Sequence, residues 1–448
     1  IYTVSYTLSL HDALPISGRQ QPPAMRFLTR PRIQWAGGGL AAWLALAAPA
    51  PGRAAAALDV VRTTKAAPAG FVEIGGVEAG AFNPAIWQAG TLHWVPDLRS
   101  PLLAPRSGKF RNIYAPSAVE TPGGYRLFYG AWDGLPTGND CLYSATTDAN
   151  FQKFSHRRAI IVPGGYVHVC NVNALGLDGG GFELLATVYP VRERNKPGFF
   201  RSDATGTNWN GGRGEPYTVR ARDIIAMDGY AYPNADINGM NVLLREDGAR
   251  RLYFGDFRGG GGTFRATSRD GRNYTFEAKV LAGPGLVNDV KKFRVGADCY
   301  YLMGLHENRR RLWQTISTNG LAFPPARELL AHLDAADAYI VALGWVTRGA
   351  QESPGRRLLG VLYGAGPVSA LDQNRIYARW LQKRVDFVAR DGTRISGTRA
   401  LGPGQQLLDF AGSPARRGRF ELYAEDGVTR LGVSPEFDVQ SGQVFHLR

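Results

Sequence analysis

One phrase recurs four times along this chain and constrains its fold more than any other feature. It reads LYSATTDANFQKF (142–154), FFRSDATGTNWN (199–210), FRATSRDGRNYTF (264–276) and LWQTISTNGLAF (312–323). Each copy has an apolar or aromatic start, a run of small and hydroxyl residues, an Asp or Asn near Gly or Ala, and a closing aromatic. Self-similarity at a period of about 50 residues marks a repeat architecture.

The repeat unit is longer than the phrase. Upstream of the four copies stand APSAVETPGGYRLFYGAWDG (115–134), NVNALGLDGGGFELLATVYP (171–190), NGMNVLLREDGARRLYFGDF (238–257) and NDVKKFRVGADCYYLMGLHE (288–307). Each is an apolar run, a Gly/Asp turn and an aromatic-rich run, which is a hairpin signal. A weaker fifth unit covers 339–366 and continues through NRIYARWL (374–381). Four short antiparallel strands per unit, in five units, predict an all-β chain with a five-bladed β-propeller over 58–380. The competing expectation is a β-sandwich with coincidental similarity, and the aligned turns argue against it. Residues 381–448 carry strands with Asp-Gly turns but lack the phrase, so a small β-sandwich-like domain is expected there.

The start of the chain reads differently. Residues 1–24 precede the first Met, and IYTVSYTLSLHDALPIS resembles translated sequencing-adapter sequence, so a non-native leader is expected. From Met25 the chain has Arg26, Arg30 and Arg32, an apolar stretch GGGLAAWLALAAPAPG and the small-residue run AAAA (54–57), the order of a signal peptide over 25–57. A secreted or periplasmic location follows. The apolar core is short for a membrane span, so no stable membrane insertion is expected after cleavage.

Composition narrows the function classes. Hydrophobic residues make up 44%, charged residues 20%, and 56 glycines supply the turns an all-β chain needs. The formal charge is +14; without residues 1–56, which carry five Arg and one Asp, it is +10. The arginines are scattered apart from short clusters such as Arg309–Arg310–Arg311, and no nucleic-acid motif accompanies them. The charge is therefore read as solvated surface rather than a nucleic-acid footprint. Cys141, Cys170 and Cys299 are too few for a disulfide scaffold and are expected as free thiols in or beside strands. No Cys/His spacing suggests a metal site, and no cofactor is expected. The sequence does not indicate an oligomeric state.

Propeller geometry narrows the search for a site. Strand one leaves a face and strand two returns to it, so strand-one starts and strand-two ends converge on one funnel. The first set holds Tyr114, Asn171, Asn173, Asp236, Asn238, Asn288, Asp289 and Tyr339. The second holds Trp132, Asp133, Tyr189, Asp256, His306 and Glu307. Carboxylates and amides hydrogen-bond hydroxyls, and aromatic rings cover the C–H face of a sugar. A carbohydrate is the expected ligand.

The arrangement resembles the five-bladed propeller glycoside hydrolases, the superfamily containing families 32, 43, 62, 68 and 117. The resemblance covers about residues 80–380 and rests on YAPSAV (114–119) with GGYRLFYGAWDG (123–134), on VNDVKKF (287–293) with YYLMGLHE (300–307), and on the repeated turns. It implies glycosidic bond hydrolysis by a pair of carboxylates. In family 43 an Asp-Pro-x-Val phrase on the first inner strand supplies the general base. Here the matching phrase is Ala115-Pro116-Ser117, and by sequence alignment the same register holds Asn171, Gly239 and Asp289 in the next units. The candidates for catalysis are therefore Asp289 and Asp256 as base or modulator, with Glu307 or Asp133 as acid. Loss of the Asp before Pro116 motivates an alternative from another class, a non-catalytic glycan-binding or protein-interaction propeller.

Overall fold

The computed structural model describes residues 56–57, 71–74, 77–89, 92–106, 112–134, 139–238, 241–283, 285–351, 353–368, 373–410, 414–439 and 444–447. The expected leader, and the signal peptide up to residue 55, lie outside them. Among the described residues the chain is nearly all β, with one short α-helix, Pro84–Ala89, and one 3-10 turn, Ala221–Asp223. No helix among them is long and apolar enough to cross a membrane.

Five antiparallel sheets follow one another along the chain. The first is built on Ile113–Thr121, Gly124–Ala131, Cys141–Asp148 and Phe154–Val162, in that order from one edge. The second has His168–Gly176, Phe182–Val191 and Arg194–Arg201. The third has Val242–Glu246, Ala249–Gly255, Thr263–Ser268 and Asn273–Leu281. The fourth has Leu286–Val295, Asp298–His306, Arg311–Ser317 and Arg327–Ala331. The fifth has Tyr339–Arg348, Arg357–Gly366 and Arg375–Leu381, and takes its fourth strand, Trp94–Pro96, from the N-terminal side of the first sheet. The leading strands pack against one another in a closed cycle, first to second, third, fourth, fifth and back to first.

Burial separates inner from outer strands. Gly124–Ala131 is buried along its whole length, because neighbouring sheets cover both of its faces. The outer strands Phe154–Val162 and Asn273–Leu281 alternate toward solvent over most of their length.

The repeated phrase is the turn that follows the third strand, and in the first, third and fourth sheets it leads to the fourth strand. Its acidic or amide side chain accepts the backbone N–H groups of the turn. Asp148 takes those of Asn150 (2.8 Å) and Lys153 (3.0 Å), Asp270 those of Arg272 and Asn273 (2.8 Å each), and Asn319 those of Leu321 (2.9 Å) and Ala322 (3.0 Å). These bonds hold the Asp270 carboxyl well below the usual carboxylate range. Each turn docks on the preceding sheet of the cycle. A Cβ on Gly271 (φ +81°) would lie 2.6 Å from the Phe199 ring of the second sheet, and one on Gly320 (φ +66°) 2.8 Å from the Tyr253 hydroxyl of the third.

In the first copy Phe151 takes the left-handed position at φ +56°. That conformation costs about 1–2 kcal/mol for a residue with a Cβ. Its ring is 1% exposed and packs on Tyr125 (4.8 Å) and on Trp380 of the fifth sheet (5.1 Å). Burying a Phe contributes about 2–3 kcal/mol, which offsets the strain.

The remaining strands form two further sheets, one on Arg384–Ala389, Arg416–Tyr423 and Arg430–Val433, the other on Gln406–Asp409 and Val444–Leu447. Val385, Phe387, Leu408, Phe410 and Phe420 lie in the core of this part. Residues 71–74, expected among the repeat units, instead pair in parallel with Val444–Leu447, and Ala56–Ala57, expected in the signal peptide, pair with Gly432–Val433. Cys141, Cys170 and Cys299 are all free, the first two buried.

Candidate functional site

Each of four leading strands carries a β-bulge near its start. Ala115 and Pro116 face one residue across the first hairpin, and Asn171 and Val172 do so in the second. Asn288 and Val341 are the extra residues in the fourth and fifth sheets. Bulges bend a strand and re-aim its side chains, and here Ala115 and Asn171 both take left-handed φ, +51° and +53°. Ala115 is fully buried, so the bulge presents no functional group there.

The residue after each bulge is Ser117, Asn173 and Asp289 in the first, second and fourth sheets, and each accepts a backbone N–H from the next sheet. Ser117 Oγ takes Ala174 N (3.0 Å), Asn173 Oδ1 takes Leu243 N (3.0 Å) and Asp289 Oδ2 takes Trp345 N (2.9 Å). Asp289 therefore corresponds to Ser117 and Asn173, not to Ala115. The alignment by sequence slipped because it placed no bulge.

Three of the four expected catalytic carboxylates are held in structural ties. Asp289, 1% exposed, accepts Lys291 Nζ (2.9 Å) and Asn173 Nδ2 (3.1 Å) on Oδ1 in addition to the Trp345 N–H. The Asn173 contact crosses from the second sheet to the fourth. Asp133, its side chain 0% exposed, pairs with Arg157 (2.7 Å) and takes the Arg106 N–H (2.5 Å). Asp256 accepts the Tyr230 hydroxyl (2.8 Å) and the N–H groups of Asp236 and Arg258 (2.9 Å each). Carboxylates with these partners anchor loops, and their oxygens are already engaged. Glu307 differs: it is half-buried, lines a cleft, and makes no ion pair among the described residues.

The expected binding residues divide by sheet. Asn171 Nδ2 donates to Asn238 Oδ1 (3.1 Å), joining the second and third sheets at this end. The Asn288 amide lies 2.7–2.9 Å from His306 Nδ1, and its Oδ1 also accepts Leu343 N (3.2 Å). Burial pushes His306 down to about 4. Asp236 takes both the backbone and side-chain N–H of Asn195 (2.8 Å each). Tyr189 stacks on His168 at 5.3 Å, and burial lowers that imidazole to about 4 as well. Tyr114 is buried; a Cβ on Gly130 would lie 3.3 Å from its ring and one on Gly364 3.0 Å from its Cα. Trp132 and Tyr339 are half-buried and pack against the same hydrophobic cluster as Tyr114.

One titratable group was missed from sequence. Asp140, just before the third strand of the first sheet, faces Tyr114 and Cys170. Burial raises its carboxyl to about 7, and Oδ1 is shielded without a hydrogen-bond partner among the described residues. It lies at a strand-three start, not at a strand-one start or a strand-two end.

Among the described residues, two cavities are candidates. A cleft of about 580 Å³ lies at the strand-one start end, between the fourth and fifth sheets, with Glu307, Arg309, Arg310, Arg311, Trp313 and Tyr339 on its walls. A cavity of about 730 Å³ lies at the opposite end, among the strand-one to strand-two turns, and is lined by Glu120, Arg245, Glu246, Lys291 and Arg356. Its lining holds no aromatic residue, and its Lys291 and Glu246 are already paired, with Asp289 (2.9 Å) and Lys292 (2.7 Å). Among the described residues no group of three His, Cys, Asp or Glu could hold a metal ion.

No protein-family model matches the chain, and no curated protein sequence does. Several solved structures of similar arrangement bear the names of glycoside hydrolases. One is a glycosyl hydrolase from Bacteroides ovatus, 11% identical, with a TM-score of 0.46 over 67% of this chain and 96% of that one. A GH32 β-fructofuranosidase from Bombyx mori is 11% identical, with a TM-score of 0.43 over 81% of this chain and 91% of that one. An α-L-arabinofuranosidase from Podospora anserina, in complex with cellotriose, is 11% identical, with a TM-score of 0.44 over 65% of this chain and 96% of that one.

Proposed function

We propose that this chain is an exported five-bladed β-propeller with a small C-terminal β-sandwich-like domain, and that it is a glycoside hydrolase-like, carbohydrate-active protein. The glycan lies at the strand-one start end, in the cleft beside Glu307. One observation carries this reading: Glu307 is the expected catalytic carboxylate left with neither an ion pair nor a side-chain hydrogen bond among the described residues, and it shares a cleft with Trp313 and Tyr339. Two aromatic side chains can cover the C–H face of a sugar while a carboxylate accepts its hydroxyls. Hydrolysis would use Glu307 with a second carboxylate across the bond. The test is a panel of aryl-glycosides and polysaccharides, with Glu307→Gln alongside. Turnover that falls at least about 100-fold in Glu307→Gln supports the reading, as expected for loss of a catalytic acid or base. Unchanged turnover removes Glu307 from it.

A second reading, a glycan-binding propeller without hydrolysis, is favoured by the engagement of Asp133, Asp256 and Asp289 in ties. Saturable glycan binding with no turnover of any panel member would select it over the first.

A further inference from the structure

The cleft beside Glu307 has a charge pattern that a neutral sugar does not use. Arg309 and Arg310 lie between the second and third strands of the fourth sheet, Arg311 opens the third, and all three are on its walls. The loop is pinned on both sides by backbone: Ile340 N donates to Arg309 O (2.7 Å) and His332 N to Arg310 O (2.9 Å). Arg311 pairs with Glu328 at 2.5 Å on the surface. Arg309 and Arg310 are exposed and have no ion pair among the described residues. Arg309 lies close enough to Tyr339 for its charge to act on the phenol, so guanidinium and ring share one wall.

We propose that this cleft is a subsite for an acidic sugar, a uronate unit of a polysaccharide. The proposal rests on the glycan-binding reading and deepens it. A guanidinium presents parallel N–H groups that match both oxygens of a carboxylate, and two adjacent arginines on a fixed loop hold such a group without a reorganisation cost. Trp313 and Tyr339 offer faces to the ring that carries the carboxylate. Glu307 excludes the carboxylate from its own side and directs it to the arginines. The basic balance of the chain, +10 without residues 1–56, which carry five Arg and one Asp against +14 for the whole, adds attraction at long range.

The test is titration calorimetry of the whole protein with oligogalacturonate and with neutral galacto-oligosaccharide of equal length, on wild type and on Arg309→Gln/Arg310→Gln. The expected result is about tenfold tighter binding of the acidic oligomer, the size of one charge-assisted hydrogen bond. That preference should vanish in the double variant. Equal affinity for the two oligomers overturns the uronate proposal and leaves the glycan reading standing. Inorganic polyphosphate that binds as tightly as oligogalacturonate overturns it too, because the cleft would then sense charge alone. Binding of neither sugar overturns both.

Discussion

Asp289→Asn decides whether this carboxylate is a tie or a catalyst. The substitution keeps the size of the side chain and one acceptor oxygen. It also sets an amide NH₂ against either the Lys291 ammonium or the Trp345 N–H, where Asp289 now accepts both at 2.9 Å. The pair is dry, with side chains 1% and 4% exposed. Removing one partner of a buried ion pair costs about 3–5 kcal/mol, because the other charge stays buried alone. Burial already lowers the Lys291 pKa, so loss of its counter-charge drives it further toward the neutral amine. The assay is urea unfolding followed by tryptophan fluorescence, for Asp289→Asn, Lys291→Met and the double variant. Each single variant is expected to lose about 3–5 kcal/mol. The double variant should lose less than their sum by at least about 1 kcal/mol, since the two side chains touch. An Asp289→Asn protein within about 0.5 kcal/mol of wild type, the range of ordinary surface changes, would refute the tie. Loss of glycan turnover in that equally stable protein would return Asp289 to the catalytic set.

Three further predictions follow from burial and close packing. His306 is held at about 4, against about 6.5 in the unfolded chain, so only the unfolded state gains its proton between those values. Stability should be complete above pH 6.5 and fall by a few kcal/mol on the way to pH 4; unfolding titrations of His306→Asn should show a shallower slope, and an unchanged slope would contradict the assignment. Asp140 has the opposite sign: its carboxyl is raised to about 7, so its contribution is intact below about pH 4 and is lost as pH rises through 7. Asp140→Asn should therefore match wild type near pH 4 and exceed it by about 1–3 kcal/mol at pH 8, and equal stabilities at pH 8 would show that this carboxyl is not held above its ordinary range. Gly344→Ala would place a Cβ 2.0 Å from the Pro116 carbonyl oxygen, where the fifth sheet meets the first. Overpacking against backbone should cost about 1–3 kcal/mol or more in urea unfolding, and a neutral effect would mean that this contact is looser than described.

The turns were legible in the sequence because their chemistry is local. An Asp or Asn that accepts the next backbone N–H groups, followed by a left-handed Gly such as Gly271 or Gly320, needs no partner elsewhere in the chain. The bulges were not legible. No residue type is common to Ala115-Pro116, Asn171-Val172, Asn288 and Val341, so nothing signalled the inserted residue that moved Asp289 out of register with Ala115. The fate of the carboxylates was hidden for another reason. Position on a strand says which end a side chain occupies, but Asp133 is claimed by Arg157 on the fourth strand of its sheet and Asp256 by Tyr230 on the loop before its own. The strand Trp94–Pro96 is too short to show a period, and its place in the fifth sheet depends on Leu381 and Trp380, nearly the whole cycle away.

The central claim is that a glycan binds at the strand-one start end. The most direct test is a crystal structure of the protein with the tightest-binding oligosaccharide of the panel. The account predicts a sugar ring against Trp313 and Tyr339, with Glu307 on a hydroxyl and Arg309 or Arg310 on any carboxylate. A sugar seated instead at the opposite end, against Glu120, Arg245 and Arg356, would contradict it.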